Sequence, residues 1–237
     1  MRVINRTRWV ILSIVALLVI GLLASARTIN DYYVKSKLDP QLELQEALSK
    51  MTKLNSYRYS LQSVFTVDNR KEVISEVKGE KYNGNTHIKG EMVNTSIDIY
   101  YIDRTIYNYD TFSQKWLVIN SRSNNSEELL ISELNPLSNF RFKQVNTVEK
   151  QKFEKIDGAE CMVVACRPSV EGQLLETQWK DFEYQLWLDY KERFIRKANL
   201  KASNKKVPST KLSIMVEFSD MNKNIEIKPP EINPVKK

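Results

Sequence analysis

From Tyr57 to Ser219 the sequence is a succession of short stretches in which apolar and polar residues alternate, and a period of two commits the chain to β-structure. Tyr57 to Val67 puts Tyr57, Tyr59, Leu61, Phe65 and Val67 on one face. Asp68-Asn69 turns the chain into Lys71 to Tyr82, and Asn83-Gly84 is a strong two-residue hairpin signal. His87 to Val93, Ser96 to Ile102, Thr105 to Tyr109 and Trp116 to Ile119 continue as an antiparallel meander. A polar stretch then breaks the rhythm, with Asn125 and Glu128 as a capping box and Pro136 ending a short helix near Asn135. Val145 to Phe153 and Glu160 to Arg167 resume the pattern about Asp157-Gly158. After a second interruption, Tyr184 to Asp189, Phe194 to Ala202 and Lys211 to Ser219 bring the expectation to eleven strands.

A sheet with one apolar face needs that face covered. The cover is legible just upstream, where Asp39 can cap, Pro40 suits the first turn, and Leu44, Ala47, Leu48, Met51 and Leu54 form one apolar stripe. The expected class is therefore α+β: a curved antiparallel sheet, or half-open β-barrel, wrapped around an N-terminal helix and short lid helices. Residues 39–232 form that domain, with a short tail at 233–237.

Ahead of the domain, residues 9–26 carry no charge and lie between Arg8 and Arg27. Eighteen such residues sit at the lower limit for a helix that spans hydrocarbon, which takes about 20 residues. The run reads either as a cleaved signal segment, with Ala24-Ser25-Ala26 resembling a peptidase site, or as a retained transmembrane anchor flanked by Trp9 and Tyr32/Tyr33. In the anchor reading, residues 1–8 are a cytoplasmic tail, 27–38 a linker, and the protein is a single-pass cell-membrane protein with its domain outside. If the segment is cleaved, the domain is secreted.

Charge and scarce residue types exclude several functions. The chain carries a net +7, of which residues 1–38 hold +5, so the domain itself is nearly neutral and no nucleic-acid partner is expected. Six glycines supply neither common phosphate-binding pattern, and His87 is the one histidine, so no His-based metal pair exists. No cofactor is expected. Cys161 and Cys166 lie five apart in one strand, which points them to opposite faces roughly 17 Å apart and leaves them as separate thiols. No nucleophile signature accompanies His87, which reads as a surface or strand-edge residue. The pairs Glu127/Glu128 and Asp181/Glu183 read as caps and solvated faces rather than catalytic carboxylates. The expectation is a protein that is not an enzyme.

Three stretches together resemble the LolA-like family of lipoprotein carriers: the opening helix running into LNSYRYSLQSVFTV, the segment IYYIDRTIYNYDTFSQKWLVI, and LWLDYKERFIRKANLKA before VEFSDMNKNIEIKPPE. The resemblance implies about eleven antiparallel strands curled around helices, enclosing an apolar cavity for acyl chains. The chain departs from the lipidated relatives in having no cysteine after its apolar run, and looks more like an anchored single-domain relative. The implied lining is Leu44, Leu48 and Met51 of the helix, Leu61, Phe65, Ile97, Ile99, Leu186, Leu188, Ile214 and Val216 of the strands, and a lid containing Leu130 and Leu134. Binding a lipid or lipoprotein acyl chain there, without a covalent step, is the leading expectation. The alternative is a structural or regulatory module of the bacterial envelope or spore that holds a protein partner.

Overall fold

The computed structural model describes residues 9–10, 12–16, 28–120, 135–140, 142–145, 147–170 and 173–232. Residues 1–39 and 40–237 are two separate compact units. In the first, residues 9–10, 12–16 and 28–37 are helical, and Lys35 pairs with Asp31 one turn away at 2.5 Å. No helix among the described residues is long and apolar enough to cross a membrane, and residues 11 and 17–27, which include most of the expected anchor, lie outside them.

The second unit opens with α1 (Pro40–Thr52). β1 (Ser56–Val67), β2 (Arg70–Tyr82), β3 (Asn85–Met92), β4 (Thr95–Ile102), β5 (Thr105–Asp110) and β6 (Lys115–Asn120) follow as a meander. After a 3-10 turn (Pro136–Phe140) come β7 (Phe142–Gln144), β8 (Val148–Ile156), β9 (Ala159–Cys166), β10 (Ser169–Val170), α2 (Gln173–Gln178), β11 (Trp179–Asp189), β12 (Phe194–Asn204) and β13 (Lys211–Ser219). Eleven of these form one antiparallel sheet in the order β6-β5-β4-β3-β2-β1-β13-β12-β11-β9-β8, while β7 and β10 make a separate ribbon. The eleven expected strands are the eleven of this sheet, and the ribbon escaped the sequence because strands of two and three residues carry no periodicity.

Two-residue turns set the register. Asp68-Asn69, Asn83-Gly84, Val93-Asn94, Asp103-Arg104 and Asp157-Gly158 all have positive φ at both positions, the geometry whose twist matches that of the flanking strands. Val93, expected inside a strand, sits instead in such a turn at φ 50°, just past the Met92–Thr95 pair of the β3–β4 hairpin, and its N–H bonds the Ile74 carbonyl of the neighbouring β2 at 2.7 Å. β11 also starts earlier than expected, at Trp179 rather than Tyr184, with a bulge between Lys180 and Glu183 where Asp181 adopts φ 56°.

The pairing lines up one apolar row across the sheet: Ile97, Gly90, Val77, Leu61, Val216, Ala198, Leu186 and Val164 are successive cross-strand partners. This is the inner face. Parallel rows hold Ile99, Ile88, Gly79, Tyr59 and Phe218, and Ser63, Ile214, Leu200, Tyr184 and Cys166. Gly79 is required where it stands, since a Cβ there would lie 2.2 Å from the Tyr59 ring carbon that crosses it. α1 packs on β8, β11, β12 and the 3-10 turn, burying Leu44, Ala47 and Met51. Each large apolar side chain so buried contributes about 1.5–3 kcal/mol. The C-terminal end of the helix is held by Lys50, whose ammonium donates to the Glu192 carbonyl at 2.6 Å and lies 4.4 Å from the Phe194 ring centroid, and by the Glu46–Arg193 ion pair.

Candidate functional site

The inner face divides into two parts. On β9 and β11 to β13, of which β11 and β12 pack against α1, Met162, Val164, Leu186, Leu188, Leu200 and Val216 are all at most 2% exposed, so this part is a filled core. Leu44, Met51, Leu61 and Ile214 are buried as well, whereas Leu48, Phe65, Ile97 and Ile99 are only half-buried. The expected lining therefore shares one face but splits by exposure. Leu130 and Leu134 lie outside the described residues, as does the helix expected from Asn125 to Asn135 except for its last residue. The rest of the expected lid is present as the 3-10 turn, where Phe140 packs among Phe142, Tyr184 and Phe218 at centroid distances of 6.1–6.4 Å.

Tyr57 links that turn to the sheet. Its hydroxyl donates to Asn135 Oδ1 at 2.8 Å, which also accepts the Leu137 N–H at 3.1 Å. Burial, and secondarily Tyr59, raises the Tyr57 hydroxyl well above its ordinary pKa, so it remains a donor throughout the physiological range. At the rim, the Phe65 ring lies 5.3 Å from Trp179. Nothing in the sequence marks that contact, because Trp179 falls in what reads as an interruption.

The outer face is polar, with two apolar inclusions. The tail after β13 lays Ile225 and Ile227 against Ile102, Tyr82, Tyr100 and Tyr107. Farther along the sheet, Cys161, Val163 and Trp187 form a second cluster, and the Trp187 indole donates to Glu154 at 2.5 Å. His87 is not at an edge: it stands on the interior strand β3, half-buried, stacked on Tyr100 at 3.8 Å, with Asp98 2.9 Å and Glu80 3.5 Å from its two ring nitrogens. Tyr100 and Tyr101 point to opposite faces, as alternation requires. Among the described residues no cluster of His, Cys, Asp or Glu could hold a metal ion.

Both cysteines are free and buried, Cys161 toward the outer cluster and Cys166 on the inner face. Burial pushes each thiol up to about 12, whereas an unfolded chain would titrate near 8.5. We expect neither to react with a thiol reagent at pH 8 in the native protein and both to react once it is denatured. Labelling of either in the native state would show that its strand opens.

No protein-family profile matches the chain, and no curated protein matches it in sequence. Solved structures do match. LprF from Mycobacterium bovis superposes with a TM-score of 0.55 at 12% identity, over 81% of this chain and 96% of that one. Lipoprotein LppX of Mycobacterium tuberculosis gives a TM-score of 0.50 at 15% identity, over 81% and 100%. Both fit the sheet of eleven strands curled about an N-terminal helix that the sequence resemblance implied. The domain has a LolA-like fold. A LolA superfamily protein from Nitrosomonas europaea also matches over 80% of this chain and 96% of that one, at 12% identity and a TM-score of 0.30. In this LolA-like domain the inner face is closed as far as Val77 and Ile88, and its apolar side chains are partly open at Ile97 and Ile99 of β4 and at Phe65 near the end of β1.

Proposed function

We propose that the LolA-like domain binds a lipid, or the acyl part of a lipoprotein, against the partly open margin of its inner face at Phe65, Ile97 and Ile99, without chemistry, while residues 9–26 tether it outside the cytoplasm. The observation that carries this reading is the exposure step at the end of one row: Leu186, Val216, Leu61 and Val77 are closed, whereas Ile97 at the far end of the same row is half open. An acyl chain covering Ile97, Ile99 and Phe65 would gain roughly 25 cal/mol for each Å² it buries. The near-neutral charge of the domain agrees with binding by burial rather than by ion pairing. The two superposed structures give further support, one of them being called a lipoprotein.

The test is to purify the compact unit 40–237 from an envelope fraction, extract it and analyse the extract by mass spectrometry. Stoichiometric lipid is expected, and Ile97→Arg should remove it while the near-UV circular dichroism stays unchanged. A lipid-free extract combined with no binding of fluorescent acyl probes would reject the cargo and leave the protein-holding role.

A further inference from the structure

The two ends of the sheet differ. At one end the connections are Asn83-Gly84, Asp103-Arg104, Asp157-Gly158 and residues 190–193. Among the described residues none of these carries an exposed large apolar side chain. At the other end the four hairpin connections do: Val67 and Val73 flank the β1–β2 turn at 40% and 50% exposure, Val93 tips β3–β4 at 64%, Phe112 tips β5–β6 at 97%, and Val207 tips β12–β13 at 51%. The tips are staggered along the end of the sheet, as tilted strands of a curled sheet make them.

Val93 adds an independent sign. A β-branched residue at φ 50° is held in a conformation that costs about 1–3 kcal/mol and that Asn or Gly would adopt freely, yet its side chain points into solvent. Charge is asymmetric in the same sense. The β12–β13 connection, Asn204 to Lys211, carries Lys205, Lys206 and Lys211 and no acid, more positive charge than the domain has in net. Asn204 Oδ1 caps this loop by accepting the N–H groups of Lys206 and Val207, which fixes Val207 at its crest.

We propose that this end of the sheet docks on an anionic lipid bilayer, with Phe112, Val93 and Val207 entering the headgroup layer and the lysines of the 204–211 loop lying against lipid phosphates. Isolated apolar tips separated by polar turns make no continuous patch for a protein partner, but a soft interface accepts each one separately. The docking stands on the rim alone and does not depend on the inner face holding cargo.

The test uses the full chain carrying an NBD label at Phe112→Cys, at Val207→Cys or, as control at the opposite end, at Asn83→Cys, in vesicles of equimolar phosphatidylcholine and phosphatidylglycerol. Both rim probes should brighten about twofold with blue-shifted emission, and the control should not. Adding Lys206→Glu to the Phe112→Cys chain should lower the ratio of docked to free rim about fivefold or more. Rim probes that stay aqueous, a control that responds equally, or an equal response in pure phosphatidylcholine would each overturn the proposal. Loss of lipid from the extraction experiment with rim signals intact would reject the cargo alone.

Discussion

Replacing Asp189 with alanine should destabilise the domain by about 3–5 kcal/mol, read as a fall in the urea midpoint with unchanged slope. Asp189 is 3% exposed and its two oxygens do separate work. Oδ1 accepts the N–H groups of Lys191 and Glu192 at 3.1 and 2.9 Å, shaping the β11–β12 turn, while Oδ2 accepts the Arg196 guanidinium twice at 3.1 and 2.8 Å. Alanine would leave the largely buried Arg196 charge uncompensated and the turn without its side-chain acceptor. Asp189→Asn keeps an acceptor for the turn and should cost less. Equal losses for the two variants would show that the ion pair alone matters. Because Arg193 and Glu192 of this turn hold Glu46 and Lys50, loosening it should also release the end of α1.

The second large effect is Leu186→Ala, for which we expect a loss of about 3 kcal/mol and a fall in Tm of roughly 10 °C. Leu186 is fully buried beneath the helix, between Ala198 and Val164, so truncation opens a hole that packed neighbours cannot close. Ile97 stands in the same row on the same face, yet Ile97→Arg should leave Tm nearly unchanged and remove cargo. Thermal melts of the two variants separate filled core from open lining. A large drop in Tm for Ile97→Arg would move that end of the row into the core as well.

Much of this architecture was legible because its signals are local. A period of two in Tyr57 to Val67 and in Lys211 to Ser219 names strands whatever they pair with, and the pairing of these two brings the inner residues Tyr59, Leu61 and Phe65 opposite Phe218, Val216 and Leu212. Asn83-Gly84 and Asp157-Gly158 tolerate positive φ without strain and so announce their turns. Val93-Asn94 and Asp103-Arg104 adopt the same geometry without announcing it, since Val and Arg have no intrinsic preference for it and the sheet imposes it through register. His87 illustrates a different limit. Lone histidines usually sit at the surface, but the carboxylates that flank this one come from β2 and β4, and only cross-strand pairing brings Glu80 and Asp98 to its two sides.

The sequence by itself determined the eleven strands, the covering helix, the near-neutral charge of the domain and the single apolar face, because each follows from spacing within one element. Which part of that face is core and which is open was decided only by tertiary structure. Leu186 and Ile97 are equally apolar and stand in one cross-strand row, and only the assembled sheet makes the first fully buried and leaves the second half open. The contrast between the two ends of the sheet is likewise tertiary, since residues as distant in sequence as Val67, Phe112 and Val207 come to the same end only after the strands have paired.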